Sequence, residues 1–139
     1  MKLSEIITYL KHKLSEDERL NSVFVGDVYL TWNHKNSSNN FTSAVVDFAS
    51  SNMNGDYVDY TFIVYVGSII NENQENIYRH ISIADNIITQ LLHKIDVEEN
   101  DMVLVVPAMV NPFTQSFEDV MAGCYCRFSV RVPIDIICA

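Results

Sequence analysis

The stretch Tyr57-Val58-Asp59-Tyr60-Thr61-Phe62-Ile63-Val64-Tyr65-Val66 alternates without interruption. Val58, Tyr60, Phe62, Val64 and Val66 fall on one parity, and Tyr57, Asp59, Thr61, Ile63 and Tyr65 on the other. A period of two belongs to an extended strand with one face in a core. The second face is itself partly apolar and calls for cover elsewhere.

Upstream, Ala44, Val46 and Phe48 alternate with Val45, Asp47 and Ala49. The turn-like Ser51-Asn52-Met53-Asn54-Gly55 then joins the two stretches as a hairpin. An antiparallel sheet covered on one side fits this pattern.

Downstream, Asn71 is placed to cap a long helix, with Gln74 three residues on. Ile77, Ile81, Ala84, Ile88, Leu91, Leu92 and Ile95 form a continuous stripe along it. His93 and Lys94 close the helix where cations complement its dipole, and Asp96 to Asp101 follow as an acidic connector. Met102 to Val106 is an apolar run of strand length, interrupted by Pro107 and Pro112, which cannot donate to a ladder. An edge strand or an extended arm is expected there. In the last segment Ala122, Cys124, Cys126, Phe128, Val130 and Val132 share one face, with Tyr125, Arg127, Ser129 and Arg131 on the other.

Toward the N-terminus, Leu3, Ile6, Ile7, Leu10 and Leu14 recur at helical spacing, with Lys11, His12 and Lys13 in the last turn. Ser15 to Asn21 reads as a charged connector. Val23 to Trp32, rich in β-branched and aromatic residues, reads as a strand, and Asn33 to Asn40 as an exposed polar loop. The expected order is α-β-β-β-α-β-β. The fold class is α+β, one domain over residues 1–139, with the long second helix packed across an antiparallel or mixed sheet.

A chain of 139 residues, 48% hydrophobic, is the size of one domain, and such a domain buries about 68% of the surface its unfolded chain exposes. Eighteen acidic against nine basic residues give a net charge of −9, which argues against a surface that binds phosphates by counterion release. No sequence-specific nucleic-acid binding is expected. No apolar run approaches a membrane span, and the stretch Met1-Lys2-Leu3-Ser4-Glu5 meets acid at once, unlike a signal peptide. Three cysteines, Cys124, Cys126 and Cys138, fit reduced thiols in a cytosolic compartment.

Candidate chemistry is sparse. Cys124 and Cys126 share one side of a strand, but no second pair or nearby His completes a tetrahedral metal set, so they read as small buried hydrophobes. His12, His34, His80 and His93 lack metal-pair spacing, and His80 with Asp85 is the only arrangement that suggests a base. Asp27, Asp47 and Asp59 interrupt apolar strands, as solvated groups or at a subunit contact. The four glycines never cluster, so no phosphate-cradling loop is present. No catalytic residue, metal or cofactor is expected.

Interaction chemistry is richer. Tyr57, Tyr65, Tyr125, Arg127 and Arg131 lie on the less apolar strand faces, and Tyr and Arg are enriched at protein interfaces. They form either a subunit interface, with the arginines against acidic surface of a neighbouring copy, or a solvated strand face. Asn33, His34, Lys35 and Asn36 in the polar loop, and Pro107, Asn111, Pro112 and Phe113 in the proline-bounded arm, are candidates for further contacts.

The element order, together with Phe117-Glu118-Asp119-Val120-Met121-Ala122-Gly123-Cys124-Tyr125 and its Ala-Gly step opening the last strand, resembles the tail-terminator and tail-completion proteins of tailed bacteriophages. This resemblance covers most of the chain and extends to some neck-ring subunits. It implies a structural virion protein made in the host bacterial cytoplasm: a homo-oligomeric ring, hexamer or dodecamer, at the head-tail connection. The ring would leave a channel for DNA and contact other neck, tail and portal-proximal proteins. The resemblance also suggests acidic surface toward that channel, with Glu16, Asp17, Glu18, Glu98, Glu99 and Asp101 as candidates. A second reading is a small acidic secretion-chaperone-like protein. Such proteins usually finish on a further helix, where this chain has Pro133-Ile134-Asp135-Ile136-Ile137-Cys138-Ala139.

Overall fold

The alternation at Tyr57–Val66 is realised in the central strand of a five-stranded mixed sheet. The computed structural model describes residues 2–34, 42–70, 74–98, 101–116 and 120–134. In chain order the elements are α1 (Leu3–Ser15), β1 (Leu20–Val25), α2 (Val28–His34), β2 (Thr42–Asn54), β3 (Tyr57–Ile69), α3 (Gln74–Glu98), β4 (Val103–Ser116) and β5 (Val120–Pro133). The sheet order is β1-β2-β3-β5-β4. β1 runs parallel to β2, and every other pairing is antiparallel. The protein is therefore α+β, with its long helix across the sheet.

One face of the sheet holds the main core. Val58, Tyr60, Phe62, Val64 and Val66 of β3 meet Cys124, Cys126, Phe128, Val130 and Val132 of β5 and Ala44 and Val46 of β2. Ile6, Leu10 and Leu14 close over them from α1, and Ala84, Ile87, Ile88, Leu91, Leu92 and Ile95 from α3. Fully burying such an aliphatic side chain contributes about 1.5–3 kcal/mol. Helical stripe and strand parity thus interlock as the sequence patterns require.

Three expectations are corrected. Val23 to Trp32 is not one strand: β1 ends at Val25, and Val28–His34 is a helix. Gly26 takes a φ of 135°, open to glycine, and the Asp27 carboxylate accepts the Tyr29 and Leu30 amides (2.9 and 3.1 Å), which caps α2. The turn after β2 is only Gly55-Asp56, with Gly55 at φ 63°, and Ser51–Asn54 belong to the strand. α3 runs on to Glu98 with no basic residue in its last turn, so His93 and Lys94 do not close it and the acidic connector starts inside the helix. Of the two alternatives for the proline-interrupted stretch, the edge strand is the one formed: Pro107 and Pro112 both lie within β4. They are tolerated because β4 is an edge, with a register break between Val105 and Met109. The expected cap Asn71 lies outside the described residues. Among the described residues no helix is long and apolar enough to cross a membrane.

Candidate functional site: the uncovered face of the sheet

The other face of the sheet is covered over only part of its length. α2 lays Val28 and Trp32 on Val45 and Met121, with Phe24, Tyr65, Ile69 and Phe113 around them. The Trp32 ring stands 6.2 Å from Tyr65 and 5.9 Å from Phe113, and its Nε1 donates to Ser43 Oγ at 3.1 Å. Gly67 makes room for this cluster, since a Cβ there would come within 3.1 Å of Phe113 Cζ and 3.2 Å of Trp32 Cη2. Tyr125 closes the row, 5.9 Å from Tyr65 and 6.5 Å from Phe113.

Beyond α2, no element among the described residues covers the face. The next row across the strands is Asp47, Ile63, Arg127 and Met109, set side by side by register. The Arg127 side chain is exposed and has no hydrogen bond or ion pair among the described residues. Met109 is 72% exposed. Asp47 is held above the usual carboxylate range, by burial and then by the nearby Asp27. The following row pairs Thr61 with Ser129 through their hydroxyls at 2.7 Å, with Val105 beside them. In the last rows Arg131 grips Asp59 through two bonds, 2.8 and 3.0 Å, and its guanidinium lies 5.6 Å from the Tyr57 ring. That pairing holds Asp59 below its usual range.

The predicted interface residues therefore separate. Tyr57, Tyr65, Tyr125, Arg127 and Arg131 do share one face, but Tyr65 is half-buried against Trp32 and Arg131 is matched within the chain. Arg127 alone among the two arginines offers an unmatched charge. The hydrophobic exposure of Val103 and Met109 on β4, 62% and 72%, is invisible in the sequence because Met102 to Val106 is apolar on both parities and shows no alternation.

Phe113 is part of the aromatic cluster, so it is not free to contact another ring. Pro112 and Phe113 with Ile77, Tyr78, Ile81 and Thr114 line a shallow cavity of about 370 Å³ between α3 and β4. Asn33 and His34 form the end of α2, while Lys35 and Asn36 lie outside the described residues. Two of the acidic candidates are brought together: Lys13 reaches Glu16 (3.5 Å) and Glu98 (3.4 Å), tying the last turn of α1 to that of α3. Asp17 chelates Arg19, whose side-chain bonds lower its carboxyl, and Asp101 is exposed nearby in sequence. Glu99 lies outside the described residues.

The thiols of Cys124 and Cys126 are buried in the core and pushed up to about 11 by that burial, which keeps them protonated. Cys124 Sγ donates to the Ile81 carbonyl at 3.4 Å. His80 has a buried Nδ1 without a partner, and burial lowers its pKa, followed by the neighbouring Arg79. Neither feature brings a nucleophile to a base. Compared with known proteins, the chain matches no family model, and no curated protein is significantly similar to it.

Proposed function

We propose that this chain is a structural virion protein, a subunit of a homo-oligomeric ring at the head-tail connection or tail end of a tailed bacteriophage. The reading rests on the resemblance in element order and closing segment, and one observation on the molecule carries it. The sheet leaves half of a face open, and there Arg127 stands unmatched between Ile63 and Met109. Exposed Met109, Val103 and Tyr57 and half-buried Ile63 around an arginine unpaired among the described residues are the composition of a subunit contact rather than of a solvated surface.

In this reading six or twelve copies pack laterally through that face. The acidic end, where Lys13 brings Glu16 and Glu98 together and Asp17 and Glu18 follow Glu16 in sequence, turns toward the channel and repels DNA so that it slides. Asn33 to Asn36 and the β4 edge at Pro107 to Pro112 meet the neighbouring neck, tail or portal-proximal proteins. No catalytic residue or cofactor is needed for this role.

The test is the mass and shape of the purified assembly, alone and with neck and tail proteins, by native mass spectrometry and electron microscopy. Six or twelve copies in a ring support the proposal. A particle that never forms a ring, with or without those partners, overturns it, and a dimer that takes up an unfolded effector points instead to the secretion-chaperone reading.

A further inference from the structure

β2 is flanked on both sides only as far as Val46. β1 accompanies it from Thr42 to Val46 and then leaves at Gly26, whose amide donates to the Val46 carbonyl at 2.9 Å. From Asp47 to Asn54 the strand keeps β3 on one side and, among the described residues, no strand on the other. Every residue from Phe48 to Asn54 is exposed, Met53 by 72%. Exposure on both parities means that neither face of this segment is covered.

An unpaired strand edge presents a row of amides and carbonyls ready to pair with another strand. The two flanks of this sheet treat that hazard differently. The outer edge of β4 carries Pro107, Pro112 and a register break. The segment Phe48-Ala49-Ser50-Ser51-Asn52-Met53-Asn54 contains neither proline nor charge. Its only irregularity, the bulge between Phe48 and Ser50, lies at the inner end. Ser50–Asn54 is thus a regular strand of about 17 Å with one side vacant.

We propose that a second copy of this chain pairs its own Ser50–Asn54 antiparallel to this segment, across a two-fold axis perpendicular to the sheet. A strand that pairs antiparallel with its own copy satisfies two-fold symmetry by construction, and no other partner has to be supplied. Centred on Asn52, the register sets Ser50 of one copy opposite Asn54 of the other, and Ser51 opposite Met53. The lane also fits in length. β1 ends opposite Val46, and in this register the Gly55-Asp56 turn of the incoming hairpin comes opposite Ala49 and Phe48, short of that point, so it does not meet β1. The two sheets then continue into one of ten strands. This contact uses an edge and leaves Arg127 and the open face free, so it stands apart from the ring reading, although paired copies suit a ring of even number.

The experiment is amide hydrogen exchange of the full chain over a range of concentrations, with the mass followed in parallel. The expected result is an even-numbered assembly in which the Phe48–Asn54 amides become protected as copies associate. A Ser51→Lys, Met53→Lys double variant should lose both the protection and the pairing while keeping its melting temperature, because both side chains are exposed in the single copy. If the double variant does not fold, the exchange of the unaltered chain decides alone. A chain that stays monomeric at its highest soluble concentration, or that associates with Phe48–Asn54 still exchanging freely, overturns the proposal. An Arg127→Glu variant that loses larger assemblies yet retains this protection supports the edge pairing and separates it from the face contact.

Discussion

Gly123 and Gly67 lie opposite one another where β5 crosses β3. A Cβ on Gly123 would sit inside the Val66 carbonyl and 2.7 Å from the Gly67 Cα, with backbone on all sides. Backbone cannot swing aside as a side chain can. Gly123→Ala should therefore cost about 3 kcal/mol, measured by chemical denaturation. The Ala-Gly step was legible in the sequence, but its reason, an approach between two backbones, is a property of pairing that no single strand displays.

The carboxylates of the open face make opposite contributions to pH dependence. The Asp59 carboxyl is lowered by Arg131, so the folded chain binds its proton less tightly than the unfolded chain. That stability is complete above the unfolded carboxylate value, about 3.9, and is lost as pH falls through the lower folded value. The Asp47 carboxyl is raised, by burial first and Asp27 second, so its ionisation opposes folding at neutral pH and ceases to do so in acid. Asp47→Asn should accordingly raise the melting temperature slightly at pH 7 and leave it unchanged near pH 3. Asp59→Asn should lower it at pH 7, with the difference from the parent shrinking as the solution is acidified. Thermal scans of both variants across pH 3–7 check the two signs.

At the scale of elements, α2 shows where local pattern and tertiary structure part. Val28, Tyr29, Leu30, Thr31 and Trp32 have the composition of a strand. They form a helix because Gly26 breaks the chain direction, Asp27 caps the amides, and Val28 and Trp32, four residues apart, find the Tyr65 and Phe113 side of the sheet. By contrast α1, α3, the β2–β3 hairpin and β5 were all legible, since each carries a long uninterrupted period. The far end of β2 was not, because Ser51, Asn52 and Asn54 are exposed on both parities and leave no alternation to read.

Trp32 is the only tryptophan and is 3% exposed, so its fluorescence reports α2 docking directly. Trp32→Ala should cost about 4 kcal/mol and loosen the Tyr65–Phe113–Tyr125 cluster. In the unaltered chain, tryptophan fluorescence and far-ultraviolet circular dichroism should report one coincident unfolding transition, since the cluster is continuous with β2, β3 and β5. Two separate transitions would mean that α2 undocks on its own.

At the scale of the whole molecule, the proposed assembly would draw on a different part of the sheet from the part that folds it. The helix-covered face is closed and supplies the stability, whereas the open face carries charge that the chain satisfies once and leaves unsatisfied once. Arg131 is matched by Asp59, and Arg127, two register rows away on the same strand and face, has no such match among the described residues. A guanidinium gains little from projecting into water beside Ile63 and Met109. It gains much from an acidic group brought up by another copy of a chain whose net charge is −9. Arg127→Glu should therefore leave the stability of a single subunit within about 0.5 kcal/mol of the parent, because the side chain is exposed. The same change should weaken face-mediated association by about tenfold or more, as charge reversal sets acid against acid. Arg131→Glu should behave in the reverse order, disturbing the fold through the loss of the Asp59 pair before it disturbs assembly. Sedimentation equilibrium and thermal unfolding on the two variants separate these outcomes. If Arg127→Glu associates as the parent does, the open face is only a solvated surface and the proposed ring contact is not made there.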